Sequence, residues 1–194
     1  MESPEKYSAY KVKGTAIINS KKFIDEQIRP GFFDERMKEL DPQYTKLLLP
    51  STWYSAFNSK LMADIAAKEL GWELKKYCFT LNVVSVNHSM TTIYAFFLKI
   101  GGPVMVLGKT PQMVKTFTNS VEYEVIKNEK GDHEAIISSP AFFAEWNEYM
   151  IFGGMYGILK ALNRTVKSHK VLAKEKYDGS DGPWEKRTIS ITYD

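Results

Sequence analysis

Apolar residues recur at helical spacing through the first hundred positions and alternate with polar ones only after residue 120. Residues 1–10 are polar and read as a flexible leader. Ile17, Ile18, Phe23 and Ile24 predict a helix that begins after Gly14 and ends before Pro30-Gly31; Thr15 to Ile18 also suits a short strand. A second helix is expected from about Phe33 to Leu40, and Asp41-Pro42 restarts a short one that Pro50 stops. Leu47-Leu48-Leu49-Pro50-Ser51-Thr52-Trp53-Tyr54 then reads as a helix-to-helix corner. Ser51 or Thr52 is the expected cap of a helix over Tyr54 to Leu70, because a side-chain oxygen can accept from an unpaired first-turn N–H. Ala56, Leu61, Ile65 and Leu70 form its apolar stripe, and Gly71 ends it. Trp72 to Tyr94 carries further helix. Val83, Val86, Met90, Ile93 and Phe97, spaced 3, 4, 3 and 4, mark one buried face before Gly101-Gly102-Pro103 breaks the pattern.

Thr110-Pro111 opens another short helix, with proline where no N–H is needed. Val121, Tyr123 and Val125 alternate with Glu122 and Glu124, which predicts a strand. Lys130-Gly131-Asp132 turns it, and Glu134 to Ser138 returns. Pro140 to Leu162 is a long apolar helix, and Lys167 to Lys176 with Lys186 to Tyr193 forms a last hairpin. The sum is an α+β fold: a helical N-terminal half packed on an antiparallel sheet of hairpins crossed by one long helix. Residues 11–194 are expected to form a single domain.

The long helix holds the main candidate site. Phe142, Phe143, Trp146, Tyr149, Met150, Phe152, Met155 and Tyr156 surround it, interrupted by Gly153, Gly154 and Gly157. A glycine inside a helix costs about 1 kcal/mol against alanine, so three within five residues need a cause. Close approach of another backbone is one, and packing flat on a sheet leaves the side chains as ordinary core. A cavity wall or a dimer seam are the others. The cavity reading gives a ligand pocket walled by Met90, Ile93, Phe97, Trp146, Met150 and Tyr156, with Gly153, Gly154 and Gly157 leaving room and His88 offering a polar contact.

Hydrophobic residues make up 44% of the chain and the formal net charge is only +3, so a folded domain is expected and a general nucleic-acid binder is not. Cys78 is the single cysteine, flanked by Tyr77 and Phe79, which predicts a buried inert thiol, no intrachain disulfide and a cytoplasmic location. No apolar run reaches the length of a membrane span. His88, His133 and His169 lie on separate elements without metal-ligand spacing; His133 is expected to be solvated and His169 to be exposed or a pH-sensitive rim residue. Neither Gly-x-Ser-x-Gly nor a phosphate loop occurs, and no acid–base pair stands out, so catalysis is not expected. The Asp178 to Gly182 turn lacks the ligands of a calcium loop.

Val12-Lys13-Gly14-Thr15-Ala16, Leu49-Pro50-Ser51-Thr52-Trp53-Tyr54, Phe97-Leu98-Lys99 before the Gly-Gly-Pro break, and Tyr177-Asp178-Gly179 through Trp184 resemble a bacterial, myxobacterial-type domain family. That family is similar in turn to the superfamily of haem-nitric-oxide/oxygen-binding domains, 4-vinyl-reductase-type domains and TRAPP subunits. The resemblance implies an α+β fold with a ligand cavity. Haem-binding members carry a proximal histidine before the Thr-Pro-like element, where Phe97 to Lys109 has none. They also carry Tyr-x-Ser-x-Arg, which is missing from Glu122 to Lys130. On those departures no cofactor is expected, haem included. The function expected is a non-enzymatic sensory or adaptor domain that binds a small apolar or acyl ligand and signals to a protein partner. A homodimeric interaction module without a small ligand is the alternative.

Overall fold

The computed structural model describes residues 4–92, 101–179 and 181–194. The fold is α+β, and the chain is described as two compact units. The first comprises residues 1–77 and 116–120, and the second residues 78–115 and 121–194.

In the first unit a 3-10 turn, Pro4–Tyr7, leads into β1 (Lys11–Lys13) and α1 (Gly14–Gln27). Residues 4–10 are not a loose leader: Tyr7 and Tyr10 are buried, and the Tyr7 ring stacks on Phe57 at 5.9 Å. Gly31, at φ +80°, turns the chain into α2 (Phe32–Leu40). No helix follows between Asp41 and Pro50; that stretch is irregular. The expected helix-to-helix corner instead enters a short strand, β2 (Trp53–Ser55), antiparallel to β1. The cap of α3 (Ala56–Glu69) is therefore Ser55, whose hydroxyl accepts from the Asn58 N–H at 3.2 Å, and not Ser51 or Thr52. The buried stripe of α3 is Met62, Ala63, Ala66 and Ala67. Leu61 and Ile65 are only half-buried, one step around the helix from where their hydrophobicity placed them. Gly71, at φ +63°, ends the helix as anticipated.

The helix α4 (Leu74–Thr92) starts in the first unit and continues into the second. The second unit then holds α5 (Pro103–Gly108), absent from the sequence expectation, and the start of α6 (Thr110–Phe117). Its sheet runs β3-β4-β6-β5, with β3 Glu122–Glu129, β4 Asp132–Pro140, β5 Val166–Gly179 and β6 Gly182–Tyr193, all antiparallel. The long helix α7 (Ala141–Ala161) follows β4 without a linker. Its core joins Ile151, Phe152, Met155, Ile158 and Leu159 of α7 to Ala135, Ile137, Ile189, Ile191 and Tyr193 of the sheet. Residues one helical turn apart face one side of α7, while every second residue of a strand faces it, so the two periods meet along one buried layer. Among the described residues, no helix is long and apolar enough to cross a membrane.

Candidate functional site

The three glycines of α7 have a definite occupant. A Cβ on Gly153 would lie 2.6 Å from the Phe79 carbonyl oxygen, and one on Gly157 would lie 2.9 Å from both the Val83 oxygen and Val86 Cβ. Gly154 is looser, its Cβ position being 3.2 Å from Asn82 Nδ2. The backbone of α4 thus fills the groove, and the Asn82 side-chain amide donates to the Met150 carbonyl. Close approach of another backbone is the reason for these glycines. The face they make is covered by the same chain, so it is neither an open cavity wall nor a seam for a second subunit.

The remaining expected pocket residues separate. Met90 is buried in the core of the second unit, with Tyr156 half-buried against it. Trp146 is buried elsewhere on α7, with its ring 6.0 Å from Phe143. Met150 is half-buried and His88 is exposed on α4. Ile93 and Phe97 lie outside the described residues.

What the structure brings together instead is a row of polar side chains across the sheet. Asn128 pairs with His133, His133 with Ile191, and Ile191 with His169. All four face the helix side, and two strand spacings put the imidazole-bearing backbones about 10 Å apart. Two irregularities create this row. The register of β3 shifts between Val125 and Lys127, leaving Ile126 exposed and turning Asn128, rather than Lys127, inward. The register of β5 shifts between Val166 and Ser168, which turns His169 inward. An extra residue reverses the faces of everything after it, so strict alternation in the sequence could not reveal either placement.

His133 is fully buried, contrary to the solvated turn expected for it. Its Nε2 is 2.8 Å from the Tyr123 hydroxyl and its Nδ1 is 3.0 Å from Asn128 Oδ1. Asn128 in turn donates to the Val104 carbonyl of α5 at 2.7 Å. Burial pushes the His133 imidazole down to about 4, against a weaker upward pull from Asp132. The same burial raises the Tyr123 hydroxyl. Near neutral pH this is an uncharged chain of hydrogen bonds tying α5 to the sheet.

His169 sits in a different setting. Its Nδ1 is 2.7 Å from the Tyr156 hydroxyl, and its ring lies 4.7 Å from Phe152 and 6.1 Å from Phe79. It is half-buried, walled by aromatic rings from α4 and α7, where an exposed or rim position was expected. The sequence offered Tyr156 as a pocket residue and Phe152 among the aromatics of the long helix, but nothing that joined either to His169.

The far end of the same sheet face carries charge. Arg187 of β6 donates to Glu185 at 2.6 Å and to Glu148 of α7, and Lys174 Nζ stands 3.7 Å from Glu148. Burial draws the Arg187 guanidinium down, but its hydrogen bonds to Glu185 and Glu148 prevail and hold it firmly charged. A second shift of β5, between Val171 and Ala173, places Lys174 opposite Arg187. Among the described residues no group of three or more His, Cys, Asp or Glu is arranged to hold a metal ion.

Haem requires an axial ligand for iron, apolar walls for the macrocycle and donors for its carboxylates. On the helix side of the sheet the structure gathers one imidazole, His169, with the rings of Phe79, Phe152 and Tyr156. The buried cation of that face, Arg187, is engaged by Glu148 and Glu185.

No protein-family model matches the sequence, and no curated protein matches it. Solved structures do. An oxygen-binding H-NOX domain related to soluble guanylate cyclases, solved as its oxygen complex, superposes with TM-score 0.66 at 14% identity over 93% of this chain and 94% of that one. A structure solved to probe haem distortion in the H-NOX family gives 0.68 at 13% identity over 93% and 94%. An Fe(II) unliganded H-NOX point mutant from K. algicida gives 0.70 at 12% identity over 94% and 96%. These matches overturn the expectation of no haem drawn from the sequence: the fold is one that carries haem in other proteins, so two missing motifs do not remove it as a cofactor. The chain has the α+β fold of the H-NOX domains.

Proposed function

We propose that this chain is a sensory domain whose second unit binds haem, or another flat apolar ligand, and passes the binding event to a protein partner. The observation that carries the reading is the His169–Tyr156 pair, set among Phe79 and Phe152, in a fold shared over 93% of the chain with an oxygen-binding H-NOX domain. His169 would contact the ligand; Tyr156 would fix the tautomer and tilt of its ring by holding Nδ1. Bound haem would supply a site for a diatomic gas. Tyr156 would orient the imidazole, and Phe79 and Phe152 would shield part of it. Helix α4 contributes Phe79 to the site, so a bound ligand would touch it. A ligand that binds one arrangement of α4 better than another shifts the population between them.

Haem titration of the purified protein tests this. A Soret band that saturates at one equivalent and changes in position or intensity in His169→Ala supports the reading. If no Soret band develops, and neither native mass spectrometry nor solvent extraction finds a bound apolar molecule, the reading fails.

A further inference from the structure

The corner at residues 45–53 is a rigid apolar tip. Leu47 is 73% exposed, Leu49 49% and Trp53 42%, within seven residues of one loop. A loop this apolar would ordinarily fold its side chains inward. Here the backbone from Leu49 to Thr52 is held down on the start of α1 and on Tyr54. The Thr52 carbonyl accepts from the Gly14 N–H at 2.7 Å, and the Pro50 carbonyl accepts from both the N–H and the hydroxyl of Thr15 at 3.1 Å. The Leu49 N–H donates to the Tyr54 hydroxyl at 2.8 Å. A Cβ at Gly14 would overlap the Leu49 carbonyl, so that glycine is what lets the loop close down on the start of α1. The two segments that most resemble a known family, Val12 to Ala16 and Leu49 to Tyr54, are thus one built object.

Lysines edge the tip: the sequence has no acidic residue between Asp41 and Asp64, Lys11 and Lys13 lie in the adjoining strand, and Lys46 lies in the loop, within electrostatic reach of Asp34 of α2. Lys13 Nζ stands 4.6 Å from the centre of the Trp53 ring. Leucine and tryptophan side chains that project from a fixed backbone, edged by lysine stems, match the boundary between acyl chains and anionic headgroups. A protein partner would need a groove shaped to receive them, whereas a lipid surface accepts a projecting tip as it stands.

We propose that the Leu47–Leu49–Trp53 tip docks the protein peripherally on an anionic lipid surface. Binding is weak and reversible, since one loop buries little area and each lysine near the surface adds only about fivefold. Flotation of the full chain with vesicles tests it, using phosphatidylcholine alone and phosphatidylcholine with about 30% phosphatidylserine, a composition chosen for its surface potential. The wild type is expected to float with the anionic vesicles and to be released by high salt. The double substitution L47S and L49S is expected to lower binding at least tenfold with an unchanged circular dichroism spectrum. Should that variant fail to fold, charge reversal by K13E and K46E gives the same readout. Failure of the wild type to float with either vesicle overturns the proposal. So does equal flotation of the variants, or a dimer seen by light scattering that the double substitution dissociates, which would assign the tip to a second copy.

Discussion

His133 and His169 occupy one row of the sheet, on either side of Ile191 and on the same face. One imidazole is sealed into a neutral hydrogen-bond chain; the other is half-exposed among aromatic rings. The same residue type in the same row therefore sits in two different environments, and each can be tested separately.

The buried imidazole makes stability depend on pH. His133 titrates near 4 when folded and near its ordinary 6.5 when unfolded. Below 6.5 the unfolded chain binds a proton that the folded chain refuses. The contribution is complete above 6.5 and is lost as pH falls toward 4, at up to about 1.4 kcal/mol per pH unit. Urea denaturation between pH 8 and 4 should show that slope, and His133→Gln should flatten it. An unchanged slope in the variant would assign the dependence to other groups.

The α4–α7 crossing ranks its glycines. Gly153→Ala and Gly157→Ala push a methyl group into the Phe79 and Val83 carbonyls and should cost about 1–3 kcal/mol by overpacking. Gly154→Ala meets the Asn82 side-chain amide at 3.2 Å and Val86 Cγ2 at an ordinary 3.9 Å, and should fall between neutral and a gain of about 1 kcal/mol from helix propensity. Chemical denaturation of the three variants checks the order; equal effects would mean that α4 does not lie as closely as described.

The ion cluster at the far end of the sheet should respond asymmetrically. Arg187→Met leaves Glu148 and Glu185 buried without their shared cation and should destabilise the fold by about 3–5 kcal/mol. Adding Glu148→Leu and Glu185→Leu should recover part of that loss, because no unpaired carboxylate then remains. A single substitution without measurable effect on the thermal midpoint would show that the cluster is solvated.

Gly14 should tolerate nothing larger than hydrogen. Gly14→Ala collides with the Leu49 carbonyl and the Tyr54 ring and should destabilise the first unit by about 2 kcal/mol or more. Limited proteolysis within residues 45–53, absent in the wild type, is the expected readout.

Much of the fold could be read from residue order alone. Helix α1 from Gly14, α2, α7 and both hairpins appear where the spacing of apolar residues put them. The errors share a cause. The helix expected after Asp41 is irregular, and Trp53–Ser55 is a strand, because that segment takes its hydrogen bonds from β1 and the start of α1, some forty residues earlier. In α3 Phe57, Met62 and the alanines are buried while Leu61 and Ile65 are only half-buried, so the buried face is set by how the helix packs and not by the largest apolar side chains along it. The site was less legible: of the residues nominated for it, Tyr156 alone joins the histidine cluster.

Local periodicity and backbone stereochemistry are encoded within a few residues, and so the sequence by itself determined the α+β class, the antiparallel hairpins and the need for an explanation at Gly153, Gly154 and Gly157. Tertiary structure decided what fills that glycine groove, which histidine is buried, and that Asn128, His169 and Lys174 face α7. Those outcomes follow from register shifts in β3 and β5 and from the approach of α4, which depend on contacts between distant parts of the chain. No window of neighbouring residues contains them.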